Sequence, residues 1–141
     1  MAKRDYSELP LVYSCSGCSS VAQLANRLAV ELDRDQVAEM SCIAGVGGGV
    51  PALVKKARSG RYIIALDGCP LRCVEHCLKR AGVKADQHFL LMDYGLKKQY
   101  HADFCEEDVI TLKEHIVQAI DTRGTEADND SAIQRPASAG R

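Results

Sequence analysis

Five cysteines in this chain have a spacing that suits metal binding or thiol chemistry. Cys15 and Cys18 form a CxxC pair, Cys69 and Cys73 form a CxxxC pair, and Cys42 lies between the two pairs. Thiolates bind zinc and other soft metals, and paired thiols also carry out redox chemistry. These residues can act together only if the fold brings remote parts of the chain to one place.

Composition argues against several other kinds of protein. The chain has 141 residues, of which 46% are hydrophobic, with 18 basic and 19 acidic residues. This balance predicts a folded protein without a net charge that would attract nucleic acid or an anionic membrane. No apolar run has the length of a signal peptide or a membrane span, which predicts a cytoplasmic protein with reduced thiols. Because the seven cysteines cannot all pair, metal binding or reactive-thiol chemistry is preferred to a disulfide framework.

Alternating strands and helices are predicted to position the cysteines. Apolar runs predict strands at residues 10–13, 37–43, 61–66 and 88–92, and helical periodicity predicts helices at residues 19–32, 51–58, 70–81 and 104–121. This alternation predicts one α/β domain over residues 9–122, a three-layer Rossmann- or flavodoxin-like fold with a four-stranded parallel sheet. Residues 1–8 are expected to form an N-terminal tail, and residues 123–141 a disordered C-terminal tail.

The strand order 2-1-3-4 is expected for this sheet. It places strands 1 and 3 side by side, with a topological switch point between them. Open parallel sheets bind ligands at such a point, beyond the carboxyl ends of the strands. The turn with Cys15 and Cys18 would then face the turn with Cys69 and Cys73. The sequence therefore predicts that the two cysteine pairs share one edge of the sheet.

The turn after the third predicted strand reads Asp67-Gly68-Cys69. Cys69 is expected near the N-cap of the next helix, with Cys73 one turn further on, where free amides and the helix dipole favour a thiolate. Asp67 is expected to accept hydrogen bonds from loop amides, with a plain strand-end carboxylate as the alternative. Gly68 would allow a close backbone approach or a positive φ.

Cys42 precedes a run of glycines, GVGGG, at residues 45–49. The run lacks the Lys-Ser/Thr of a P-loop and does not match the dinucleotide-binding pattern. It is predicted to be bare backbone that closes over a cluster of sulfurs, with a flexible turn as the alternative. Cys77 lies beside an apolar helical stripe and is predicted to be a core residue, whereas Cys105 has no compelling role.

These motifs resemble those of the DGC-domain family, small bacterial proteins described as zinc-binding on the basis of their cysteines. The resemblance rests on the segment YSCSGCS at residues 13–19, on Cys42 with its glycine-rich follower, and on IALDGCPLRC at residues 64–73. It runs from about residue 11 to about residue 120 and implies no cellular role. The positions that it carries over as metal ligands are Cys15, Cys18, Cys69 and Cys73, with Cys42 as a further candidate.

Three functions are compatible with these residues. The leading hypothesis is a zinc-binding protein for metal sensing, storage or delivery, without catalysis of its own, and an Fe–S cluster or copper(I) are the alternative metals. The second is a thiol-dependent redox or sulfur-carrier enzyme that uses Cys15 and Cys18, or Cys69. The third is an adaptor whose metal braces the fold while the sheet edge or the loop at residues 94–100 contacts a protein partner.

Overall fold

The computed structural model describes residues 4–122 of the chain. Four strands form its sheet: β1 is Leu11–Ser14, β2 is Glu39–Met40, β3 is Ile63–Asp67 and β4 is Gln87–Leu90. All neighbouring strands are parallel, in the order β2-β1-β3-β4. The predicted fold class and strand order are confirmed. The predicted C-terminal tail, residues 123–141, lies outside the described residues.

Helices cover both faces of the sheet. The helices are α1 (Ser20–Arg34), α2 (Ile43–Gly47), α3 (Pro51–Ala57), α4 (Cys73–Arg80) and α5 (Glu106–Asp121). Helices α1 and α5 form one hydrophobic core with the sheet, and α2, α3 and α4 form a second core on the opposite face. Strands β1 and β3 are buried along their whole length, as expected for central strands that are covered on both faces.

Helix α1 shows how the sequence positions the cysteine edge. Its N-cap is Ser19, whose hydroxyl accepts a hydrogen bond from the backbone N–H of Ala22, and its apolar stripe packs into the first core. The cap ends the turn that contains Cys15 and Cys18, so this turn is held between β1 and α1. In the described part of the chain, no helix is both long and apolar enough to cross a membrane.

Several predicted elements have different bounds in the structure. The strand expected at residues 88–92 is Gln87–Leu90, followed by a 3-10 helix at Leu91–Tyr94, and the helix expected at residues 104–121 begins at Glu106. The second strand was expected at residues 37–43 but includes only Glu39–Met40. Residues 37–38 instead turn back against α1, where the N–H groups of Val37 and Ala38 donate to the carbonyl of Leu32. The helix expected at residues 70–81 is α4, and it begins at Cys73, because Arg72 has a left-handed backbone conformation with φ of 53° that interrupts the helix. Cys69 therefore lies in a turn, and Cys73 is the first residue of α4.

The glycine run does not form a loop over sulfurs, contrary to expectation. Gly45 and Gly47 lie within α2, and each lets a helix approach closely. A Cβ on Gly45 would collide with the side chain of Leu53, and a Cβ on Gly47 would lie 2.7 Å from Cys77 Sγ. The glycines are needed because α2 packs directly against α3 and α4.

Candidate functional site at the carboxyl edge of the sheet

Asp67, the last residue of β3, organises the start of α4. It is fully buried, and its carboxylate accepts hydrogen bonds from the backbone N–H groups of Val74 at 2.8 Å and Glu75 at 3.3 Å. The residue that directly precedes α4, Arg72, makes no side-chain cap. Asp67 thus acts as the helix cap from a position outside the helix, and this explains why a carboxylate is needed at the end of this strand.

His88 on β4 completes the hydrogen bonding of Asp67. Its Nε2 lies 2.8 Å from the Asp67 carboxylate, and its Nδ1 lies 3.4 Å from Nη1 of Arg72. Because a guanidinium can only donate, Nδ1 is the accepting nitrogen and Nε2–H donates to Asp67. Sequence spacing did not single out His88, since its partner Asp67 is reached across the sheet rather than along the chain.

Gly68 joins the turn after β3 to the turn after β1. Its backbone N–H donates to Cys15 Sγ at 3.3 Å, and its carbonyl accepts from the N–H of Met92 at 3.2 Å. A Cβ at this position would lie 2.7 Å from the backbone of Val21 in α1. The expected close backbone approach is confirmed, and it is this approach that brings Cys15 to the Asp-Gly-Cys turn.

A third segment reaches the same edge and carries a cation. Lys98 Nζ lies 3.4 Å from Cys69 Sγ and 5.1 Å from the centre of the Tyr100 ring. Its segment is held to α1 by hydrogen bonds between the backbones of Ser20 and Gln99 and from Gln99 N–H to the Ser20 hydroxyl. Hydrogen bonds to Tyr100 and Cys69 raise the pKa of Lys98. No local motif pointed to Lys98, which is 29 residues from Cys69.

The electrostatics of Cys15 indicate which groups are neighbours. Burial raises the pKa of its thiol to about 11, the hydrogen bond from Gly68 opposes this shift, and negative charge on Asp67, Cys73 or Cys69 adds to it. Asp67, Cys69 and Cys73 therefore all lie within electrostatic reach of Cys15. In the protein without a metal, Cys15 is a protonated thiol at neutral pH.

Cys77 lies in α4, one turn beyond Cys73, where it contacts α2. Burial raises the pKa of its thiol, and charge on Cys73 and Asp67 raises it further. Its sulfur packs against Gly47 of α2. Cys105, the N-cap of α5, donates instead to the carboxylate of Asp108 at 3.1 Å.

The five predicted ligands all follow the carboxyl ends of β1, β2 and β3, but their surroundings differ. Cys15 and Cys69 are half-buried, whereas Cys18, Cys42 and Cys73 are exposed. Within residues 4–122, no three Cys, His, Asp or Glu side chains are grouped closely enough to hold a metal ion without moving. All seven cysteines lie in this range and are free thiols. The set of five metal ligands therefore stays a prediction.

Comparison with known proteins identifies the family of the chain. A family model described as the DGC domain matches residues 11–116. The chain is also similar to the anaerobic and virulence modulator AnvM of Pseudomonas aeruginosa, with 66% identity over 98 residues that cover 70% of this chain and 74% of that protein. No solved structure was found to match. The resemblance carried by residues 64–73 is therefore confirmed as to family, and the chain belongs to the DGC domain family.

Proposed function

We propose that the chain binds a metal ion through the cysteines at the carboxyl edge of its sheet, and that the metal is zinc. The observation that carries this proposal is the hydrogen bond from the Gly68 N–H to Cys15 Sγ at 3.3 Å, which joins the turn with Cys15 to the turn with Cys69. An iron–sulfur cluster or copper(I) is the alternative for the same thiols. The further candidate ligands are Cys18, in the same turn as Cys15, and Cys42, in the turn after β2.

The chemistry of these residues fits a soft cation. Thiolates are preferred zinc ligands, and several of them around one divalent ion carry excess negative charge. The N–H of Gly68 and the ammonium of Lys98, which lie 3.3 Å and 3.4 Å from the sulfurs of Cys15 and Cys69, would offset that charge. Zinc bound here would brace the loops and supply no redox chemistry of its own.

Binding requires small movements and the loss of protons. The exposed side chains of Cys18 and Cys73 can change rotamer at little cost, because packing does not restrict them. Cys15 must lose its proton, and since its pKa is raised to about 11, metal affinity is expected to increase with pH. Metal uptake at neutral pH would therefore release protons into solution.

Metal sensing is the role that we favour over storage or delivery. The relative AnvM is named as a modulator, and a sensor needs loops whose arrangement changes when the metal binds. Three segments that are remote in the chain contact one another at this edge. They contain Cys15, Cys69 and Lys98, and they are joined by the hydrogen bonds from Gly68 to Cys15 and from Lys98 to Cys69. A metal that orders them would change one continuous surface. We place this role in the cytoplasm, where thiols stay reduced.

Metal analysis of anaerobically purified protein tests the proposal. We expect about one zinc per chain, as in a structural tetrahedral site, and loss of that metal with a lower thermal midpoint in Cys69→Ser. Cys105→Ser is the matched control, because that sulfur bonds to Asp108 in α5 and should keep full metal content. A folded preparation that carries no metal and takes up none on titration would contradict the proposal.

A thiol redox or sulfur-carrier enzyme is the second candidate. The contact of the Lys98 ammonium with Cys69 Sγ at 3.4 Å favours it, because enzymes that use a cysteine nucleophile often place a cationic group beside it. This function predicts rapid alkylation of Cys69 in metal-free and metal-loaded protein alike, and slower alkylation in Lys98→Gln than in the control Lys97→Gln. Protection of Cys69 by bound metal would instead favour ligation.

A further inference from the structure

A cavity lies among helices α2, α3 and α4, and none of the five predicted ligand cysteines, all within the described residues, lines it. Its volume is about 730 Å³, and it is lined by the end of α2, by α3 and by the last turn of α4. Cavities of this size are typical of small-molecule sites. The cysteine-based proposal does not use this cavity.

The charge of the cavity has one sign. Lys55, Arg58 and Arg80 line it, and among residues 4–122 no acidic residue does. In the described part of the chain, none of these three cations is paired with a carboxylate, whereas the adjacent Lys56 pairs with Glu39 at 3.3 Å. Cations at the ends of helices also interact with the helix dipole. That interaction accounts for single cations, but not for three that face one cavity without an acidic partner.

The floor of the cavity is apolar and is set by close helix packing. Val46 and Val54 contribute branched side chains, and Ala81 continues the surface from α4. Gly47 lies against Cys77, where a Cβ would be 2.7 Å from the sulfur, so α2 sits tightly on α4 and its small residues leave the space open. The cavity thus combines an apolar base with a cationic rim.

We propose that this cavity binds a phosphorylated small molecule. The guanidinium groups of Arg58 and Arg80 would hold the phosphate, because their planar donors match phosphate oxygens in pairs. The apolar base formed by Val46 and Val54 would contact a ring or another apolar part of the ligand. The proposal does not depend on whether a metal binds at the cysteine edge.

Calorimetric titration of the full chain with ADP, pyrophosphate and adenosine tests this inference. We expect ADP to bind with a Kd below about 1 mM, pyrophosphate to bind more weakly, and adenosine not to bind. Arg80→Gln and Arg58→Gln should each weaken ADP binding by about tenfold or more, the effect of losing a charged hydrogen bond. Lys79→Gln is the matched control, because it removes an equal charge from the same helix outside the cavity.

Amide chemical shifts measured during the titration locate the ligand. Changes centred on Gly49, Ser59 and Ala81 would support the proposal. It is overturned if neither ADP nor pyrophosphate binds at about 5 mM, if Lys79→Gln weakens binding as much as Arg80→Gln, or if the shifts centre on the cysteine edge. All three substitutions are on exposed side chains, and unchanged unfolding midpoints would show that the variants are folded.

Discussion

The backbone N–H of Gly68 donates to Sγ of Cys15 across 3.3 Å, although the two residues are 53 positions apart. This hydrogen bond joins the turn after β1 to the turn after β3, the two central strands of the sheet. It is possible only because the backbone of Gly68 lies directly against α1. The glycine of the Asp-Gly-Cys motif is therefore the contact through which one cysteine segment reaches the other.

Replacement of Gly68 by alanine should destabilise the protein and separate these segments. The new Cβ would lie 2.7 Å from the backbone of Val21, which cannot rotate away, so we expect a loss of about 2–3 kcal/mol in the free energy of unfolding. Gly17→Ala in the neighbouring turn is the control, since its Cβ would make an ordinary contact at 3.7 Å and should change stability by less than about 0.5 kcal/mol. Urea denaturation measures the free energy of unfolding of both variants. Equal losses in Gly68→Ala and Gly17→Ala would argue against this role of Gly68.

Removal of the Asp67 carboxylate should be more costly than removal of its exposed neighbour. Asp67→Ala leaves the buried N–H of Val74 without its acceptor and His88 without its partner, so we expect a loss of about 3 kcal/mol. Asp67→Asn keeps an accepting oxygen and should lose less. Glu75→Ala breaks a surface ion pair with Arg72, and exposed pairs of this kind are worth at most about 1 kcal/mol. Denaturation curves in which Asp67→Ala matches Glu75→Ala would rule out the capping role.

The raised pKa of Cys15 makes the stability of the metal-free protein depend on pH. Burial raises the pKa from 9.0 to about 11, so the folded state holds this proton more tightly than the unfolded state does. The resulting stability is fully present below pH 9 and is lost as the pH rises towards 11. Unfolding of the wild type and of Cys15→Ser should be compared across this window, where the variant is expected to lose less stability. Parallel pH dependences in the two proteins would contradict the shift.

The same shift predicts the reactivity of the thiols. Alkylation requires the thiolate, so Cys15 should be modified more slowly than the exposed Cys18 at pH 7.5, with a rate that keeps increasing up to about pH 11. Mass spectrometry of partially alkylated, metal-free protein reads out each cysteine separately.

The contact between Gly47 and Cys77 predicts a compensating pair of substitutions. Gly47→Ala alone places a Cβ 2.7 Å from Cys77 Sγ and should cost about 1–3 kcal/mol. Cys77→Ala removes that sulfur and leaves the nearest remaining atom at 3.5 Å, so the double variant should recover about 1 kcal/mol or more relative to the sum of the single variants. A double-mutant cycle measured by denaturation gives this coupling, and strictly additive effects would refute it.

The hydrophobic pattern of the sequence predicted some helices and strands correctly and misplaced others. Apolar periodicity predicted α1 and α5 and the fully buried strand β3 because it reports which face of an element is buried. It was wrong about residues 37–43, where Val37 and Ala38 bond to the end of α1 instead of extending a strand. It also placed the start of α4 too early, since the left-handed conformation of Arg72 has no signal in a hydrophobic pattern.

The sequence by itself determined the parallel α/β fold and the strand order, because short right-handed crossovers leave few other arrangements for alternating strands and helices. The order of the strands in turn determined the edge at which the five predicted ligand cysteines lie. The cysteine motifs determined the family. Only the tertiary structure decided that Asp67 caps α4, that Gly68 donates to Cys15 and that Lys98 reaches Cys69. Those contacts join residues from different elements. Their geometry depends on how closely helices pack on the sheet, which is a property of the assembled core and not of any one segment.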